Sequence, residues 1–193
     1  MFLILEKKDR IIQAAIDSFS NKGIEKTTIS DIAKLAGVGQ GTFYLYFSSK
    51  FSILPAISEV LVDKIHEGIE KNVKSNNFEA QLTEIIEVIF SIIEEYRELS
   101  TIIYSGLTQS EHIKSLGDIY SPIYQWLNKF LSKYKEDGVI RSTINTEYSS
   151  KIMLTLIEST AEQIFIYNEL EPKKISEHKE ELLTFLKHAL GIY

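Results

Sequence analysis

The stretch GVGQGTFYLYFSSK, Gly37 to Lys50, places glycines at 37, 39 and 41 and then four aromatics, Phe43, Tyr44, Tyr46 and Phe47, within five residues. Each glycine has a different task. Gly37 suits the left-handed residue that stops a helix. Gly39 is placed to cap the next one, where glycine is only roughly a few tenths of a kcal/mol worse than serine. Gly41 falls in the first turn on the outer side, where a missing Cβ lets another surface come close. The aromatics separate by angle, at about 100° per residue. Phe43 and Phe47 share one face, assigned to the core. The outward surface is then Gln40, Gly41, Thr42, Tyr44, Leu45 and Tyr46. A two-turn helix in a head of ~50 residues cannot bury its whole circumference, so the four aromatics are not all core.

That outward surface carries an amide, hydroxyls and methyl groups, and no acid. Such a face suits the DNA major groove. Gln40 can pair with an adenine edge, Thr42 and Leu45 can touch a thymine methyl, and tyrosine hydroxyls can reach phosphates. Lys50, at the start of the following helix, adds charge on the same edge.

Upstream, the spacing predicts a helix from about Leu5 to Lys22, with Ile11, Ala14, Ala15, Ser18 and Phe19 on its inner face and Gly23 as its stop. Thr28 followed three residues later by Asp31 predicts a capping box for a short second helix, with Ile29, Ile32, Ala33 and Ala36 as its apolar stripe. The third helix is expected from Gln40 to Phe47. Two short helices joined by a glycine turn, after a longer one, make a helix-turn-helix.

These residues resemble the N-terminal domain of the TetR family of bacterial transcriptional regulators. The resemblance is carried by Ile12, Ala15, Phe19, Gly23, Thr27-Thr28, Ile32-Ala33, Ala36-Gly37-Val38, Gly41 to Tyr44, Tyr46-Phe47, Ser49-Lys50 and Leu54, and covers residues 8–55. It implies that Thr28 and Lys50 anchor phosphates, and that Gln40, Thr42, Tyr44, Leu45 and Tyr46 face the groove. Two positions depart from the family pattern. Gly39 replaces a serine or threonine, removing a capping hydroxyl, and Tyr46 stands where histidine is frequent.

The rest of the chain reads as helical too, near 50–74, 78–96, 99–108, 118–136, 145–168 and 175–190. Asn76 before Glu79 offers a cap, Asp137-Gly138 a turn, and Pro172 the start of the last linker. Pro55, one turn into its helix, is expected to kink or delay it. The expected class is all-α. A helix-turn-helix DNA-binding domain spans 1–50, and a helical ligand-binding and dimerisation domain spans 51–193.

In the family the last two helices pair two protomers. Here their apolar faces are broad, with Ile152, Leu156 and Ile164 on one and Leu182, Leu186 and Leu190 on the other. That is more cover than one small body provides. The resemblance also implies a small-molecule cavity. Fifteen of the 21 aromatics follow residue 50, and Tyr96, Tyr104, Tyr120, Tyr124, Trp126 and Phe165 are its candidate walls. Glu158 and Glu162, one turn apart, either mark a solvated edge, the ordinary reading of such a pair, or neutralise a cationic ligand.

Charge agrees with local rather than general DNA contact. Residues 1–50 carry seven Lys/Arg against five Asp/Glu, a net of +2, and the remainder carries 14 against 22, a net of −8. A mildly basic head on an acidic body can dock on phosphate without coating nucleic acid. The absence of cysteine excludes thiolate metal sites and disulfides and fits a reducing cytoplasm. The four histidines stand far apart, so neither a metal nor a cofactor is expected. No nucleophile–base–acid spacing or phosphate loop points to an enzyme. No membrane span or leader pattern is expected either. The expected function is a homodimeric repressor released from a palindromic operator by a small molecule. The alternative is a regulator of the same fold without such an effector, governed by a protein partner or acting architecturally.

Overall fold

The computed structural model describes residues 2–107, 116–168 and 171–192. They form ten α-helices: α1 (Phe2–Lys22), α2 (Ile29–Leu35), α3 (Gln40–Tyr46), α4 (Leu54–Asn72), α5 (Phe78–Glu95), α6 (Arg97–Leu107), α7 (Leu116–Ile119), α8 (Ser121–Glu136), α9 (Thr146–Glu162) and α10 (Pro172–Leu190). No strand occurs among the described residues. No single helix there is long and apolar enough to cross a membrane. The chain divides into two compact units. The first comprises residues 1–61 and 98–119, and the second 62–97 and 120–193.

In the first unit, α1 packs on α2 and α2 on α3. Ile11, Ala15, Phe19, Ile32, Ala33, Phe43 and Phe47 close its core, with Ile11, Ala15, Ile32 and Phe43 at 0% exposure. The buried Thr27 ties the end of α1 to the following turn, its hydroxyl within 2.8 Å of the Gly23 carbonyl and 3.1 Å of that of Ser18. A buried hydroxyl left without such partners would be costly, which explains a threonine at this depth. Pro55 is the second residue of α4, and one 3-10 turn, Phe51–Ile53, precedes that helix. The proline therefore delays the regular part of the helix, and its missing N–H falls where a helix start has unpaired donors anyway.

In the second unit α9 is central, packing on α5, α8 and α10. The later half of α4 approaches α5 closely at Gly68, where an added Cβ would lie 2.7 Å from the Ile92 side chain. Phe78, Phe130 and Tyr134 form an aromatic cluster, and the Tyr134 hydroxyl donates to Gln81 Oε1 at 2.8 Å.

Several boundaries differ from expectation. Asn77, not Asn76, caps α5, its side chain accepting from the Ala80 N–H at 2.8 Å. The helix expected at 118–136 breaks at Tyr120, and Pro122 sits in the first turn of α8. The helix expected to reach residue 168 ends at Glu162 and continues as a wider π turn, Gln163–Tyr167. Pro172 opens α10 instead of a linker, because proline is pre-organised for a first helical turn. The expected end of the sixth helix at residue 108 lies outside the described residues.

Candidate functional site

The first site is the outer face of α3. Its placement begins with the turn before it. Gly37 adopts φ +65, the left-handed conformation expected of it. Gly39 is the N-cap of α3 in extended backbone, with no side-chain cap bond. A Cβ built on Gly41 would meet nothing within 4 Å, so this first turn lies open. Phe43 and Phe47 point inward, their rings 5.7 Å apart, and hold the helix to the core. What remains outward is the expected set. Leu45 is 82% exposed, Tyr44 55% and Tyr46 36%; Gln40 and Gly41 are exposed, and Thr42 is half-buried at the rim. Tyr44 touches Phe43 edge-on at 5.8 Å, but an exposed leucine and two exposed tyrosines on one short helix are more apolar surface than the protein's own packing needs.

Thr28 is the N-cap of α2. Its hydroxyl oxygen accepts from the Asp31 N–H at 3.1 Å, and Asp31 Oδ2 accepts from the Thr28 N–H at 3.0 Å, completing the capping box. Lys22 pairs with Asp31 at 2.9 Å. That ammonium first, and the Thr28 hydrogen bonds after it, hold the Asp31 carboxyl down at about 2. Lys50 is also committed inside the unit. Its ammonium lies 2.6 Å from the Ile24 carbonyl oxygen and 3.2 Å from that of Glu25, over the Phe51 ring at 5.3 Å. An ammonium has three donors, so this clamp leaves one for a phosphate.

The second site lies in the second unit, and the aromatics proposed as cavity walls fall into several separate groups. Tyr120 and Tyr124 stack with centroids 5.9 Å apart. Phe165 meets Phe90 edge-on at 6.1 Å. Trp126 instead stacks on Phe130, 5.7 Å away, beside an outer groove that also includes Lys129 and Lys133. Tyr96 sits in another groove, under the Lys64 ammonium at 5.8 Å. Tyr104 is exposed and belongs to the first unit. Spacing along a helix could not separate these groups, because each aromatic lies on an inward or flanking stripe of its own helix.

The carboxylates beside Tyr120 correct an expectation. Glu158 is not on a solvated edge. Burial pushes its carboxyl up to about 8; the neighbouring Glu162 adds to this, and a hydrogen bond from Tyr120 opposes it. Burial also raises Glu162. The same burial, followed by the charges of Glu158 and Glu162, holds the Tyr120 hydroxyl well above its ordinary value. Both acids are half-buried, because α9 packs against α5, α8 and α10, which its own i, i+4 pattern does not reveal.

The third feature is the outer face of α9 and α10. Of the residues expected to meet a second protomer, Ile164, Leu182, Leu186 and Leu190 are 1–7% exposed and belong to the unit's own core. They pack inward because α10 crosses both α5 and α9. Ile152 is 59% exposed and Leu156 half-buried. With Phe185, exposed on the broad apolar face of α10, and Tyr148, exposed and not singled out in the sequence, they make the free apolar face. A groove of about 500 Å³ includes Leu156, Gln163, His178 and Phe185.

Comparison with known proteins agrees with this fold. The family described as "Bacterial regulatory proteins, tetR family" matches residues 11–57, and "Tetracyclin repressor-like, C-terminal domain" matches residues 82–190. The chain is 37% identical to the HTH-type transcriptional regulator YvdT of Bacillus subtilis (strain 168), over 96% of this chain and 95% of that protein. It is 32% identical to IcaR, the negative regulator of the biofilm operon icaADBC of Staphylococcus aureus (strain Newman), over 77% of this chain and 80% of that one. Two solved structures share the fold. A TetR-family regulator from Syntrophomonas wolfei matches with TM-score 0.77 at 23% identity, covering 98% of this chain and 97% of that one. FadR from Bacillus subtilis in complex with stearoyl-CoA matches with TM-score 0.75 at 23% identity, covering 92% and 96%.

Proposed function

We propose, from the premise that the chain belongs to the TetR family of bacterial transcriptional regulators, that it is a homodimeric repressor whose α3 reads an operator and whose second unit binds a small-molecule effector. The observation that carries this reading is the outward face of α3. Gln40, Tyr44, Leu45 and Tyr46 are exposed there on a helix anchored by two buried phenylalanines. Tyr44 meets Phe43 edge-on at 5.8 Å yet leaves most of its ring outward, and the chemistry of this face matches base edges, thymine methyls and phosphates. Lys50 stands at one end of the same motif with an ammonium donor left for a phosphate, and Thr28 stands at the other, where its hydroxyl, which donates to Asp31 Oδ2 at 2.8 Å, must turn away to reach one.

The apolar face of Tyr148, Ile152, Leu156 and Phe185 supports dimerisation, since a second copy is the partner a two-fold operator requires. The likeness to an acyl-CoA-bound regulator supports a ligand in the second unit. An effector acts by favouring a dimer state whose two α3 helices no longer meet successive major grooves. The site of action is the cytoplasm, where the DNA is.

The test is selection of bound fragments from a random DNA pool by the purified protein. The expected product is a two-fold symmetric sequence with half-sites one helical turn apart or a multiple of it. Recovery of no preferred sequence at physiological salt contradicts the reading.

A further inference from the structure

We propose that the outer groove along α8 binds a small planar aromatic anion, its ring stacked on Trp126 and its carboxylate held by Lys129 and Lys133. This goes beyond the effector reading above, since the site requires no change in operator affinity. Three observations converge on it.

The first is the hollow itself. A groove of about 580 Å³ includes Glu70 from the last turn of α4, Gln81 from α5, and Trp126, Lys129, Phe130 and Lys133 from α8. All of these belong to the second unit. The volume falls among those of small-molecule sites, roughly 300–1,000 Å³.

The second is a column of rings that ends in that groove. Phe78 stacks on Phe130 with centroids 5.3 Å apart and planes 17° apart, and Phe130 stacks on Trp126 at 5.7 Å and 14°. Both phenylalanines are buried, whereas Trp126 is only half-buried. The last ring of the column thus keeps open surface where it lines the groove, although tryptophan is highly buried on average. The column is also braced. Tyr134 meets Phe78 edge-on at 5.0 Å and Phe130 at 5.3 Å, and its hydroxyl donates to Gln81 Oε1 at 2.8 Å. The Gln81 amide in turn donates to the Ser75 carbonyl at 2.7 Å. A ring fixed in this way is a preorganised platform for one more ring.

The third is charge. Lys129 and Lys133 are exposed, one turn apart, and share the stripe of α8 that carries Trp126. The Lys133 ammonium lies at the flank of the column, 5.1 Å from the centroid of the Tyr134 ring. The acids of the groove are turned elsewhere or remote. The Glu70 carboxylate faces His66 Nε2 at 4.0 Å. Glu136 is the last residue of α8, about 15 Å along the axis from Trp126. Along α8, therefore, the charge nearest the platform is positive.

These groups discriminate between ligands. A carboxylate joined to an aromatic plane satisfies the ring and the ammoniums together. An organic cation meets like charge beside the ring, and a saturated acid forfeits the stack.

The experiment compares 2-naphthoate, its neutral amide 2-naphthamide, and the saturated acid decahydro-2-naphthoate, by calorimetric titration of the full chain. Trp126 is the chain's one tryptophan, so its indole N–H gives a single nitrogen-15 NMR peak that reports where the ligand sits. Wild type should bind naphthoate at least about tenfold more tightly than the amide and severalfold more tightly than the saturated acid. The indole peak should move with the same midpoint. Lys129→Gln/Lys133→Gln, at exposed positions, should lose the preference for naphthoate over the amide while still binding both. Trp126→Leu should lose the preference for the planar over the saturated acid. If that variant fails to fold, the indole peak and the lysine variant decide the matter. No binding of naphthoate up to millimolar concentration would overturn the proposal. So would binding that leaves the indole peak unmoved, equal affinity for the planar and saturated acids, or an undiminished preference for naphthoate over the amide in the lysine variant.

Discussion

The Lys50 ammonium lies 2.6 Å from the carbonyl oxygen of Ile24, twenty-six residues earlier in the chain. The residue that the sequence marks as a phosphate anchor is thus also a clamp. It fastens the segment before α4 to the turn between α1 and α2, and so fixes the frame in which α3 sits.

Lys50→Ala should therefore have two effects. Loss of a charge-assisted hydrogen bond at a half-buried site lowers stability by about 1.5–3 kcal/mol. Loss of a phosphate contact in each protomer weakens binding to all DNA sequences and flattens the slope of log affinity against log salt by about 1.8 per dimer. Urea denaturation and a salt titration check these separately. An unchanged salt slope with reduced stability would leave only the clamp.

The capping box makes a similar split prediction. Thr28→Ala should cost about 1 kcal/mol, the usual value of an N-cap, visible in thermal unfolding. Asp31 has a depressed folded-state pKa, so its contribution is present above its ordinary value of 3.8 and is lost as pH falls toward about 2. Lys22→Ala should move that acid loss to higher pH, because the Lys22 hydrogen bond is the largest cause of the depression.

At the proposed dimer face, Ile152→Glu and Leu186→Glu should part company. Ile152 is 59% exposed, so its replacement should yield a folded monomer at micromolar concentration. Leu186 is 3% exposed, so its replacement buries an unpaired charge at several kcal/mol and unfolds the chain. Sedimentation and circular dichroism distinguish the two. A dimeric Ile152→Glu protein would place the interface elsewhere.

Glu158 gives the opposite pH sign to Asp31. Its folded-state pKa is raised from 4.5 to about 8, so the folded protein holds a proton that the unfolded chain has released. Stability is fully present below about 4.5 and falls as pH rises through about 8. The groups acting on it are Glu162 on the same helix and Tyr120 at the start of α8. Glu158→Gln should flatten the decline, measured as denaturation midpoints from pH 5 to 9.

The head was legible in the sequence almost residue by residue. Its information is local: a capping box, a left-handed glycine and a two-turn helix whose angles separate Phe43 and Phe47 from Leu45. The second unit was legible only as helices. Which stripe of α9 is covered depends on α5, α8 and α10, brought to it from distant parts of the chain, so Glu158 read as solvated and Leu182 as an interface residue. Phe185 and Tyr148 carry no sequence signal for exposure, since apolar residues at helical spacing look alike whether their partner is the same protomer or another. Pro172, read as the start of a linker, and Pro122, inside a helix expected to run unbroken from 118, both open helices, the position for which proline is pre-organised.

The central claim, that α3 reads bases, is tested most directly by repeating the random-pool selection with Gln40→Ala. The account predicts a recovered sequence that keeps its symmetry and spacing but loses preference at one base position in each half-site, worth about 1–3 kcal/mol, with the other positions intact. Recovery of the wild-type sequence with undiminished preference at every position would contradict it.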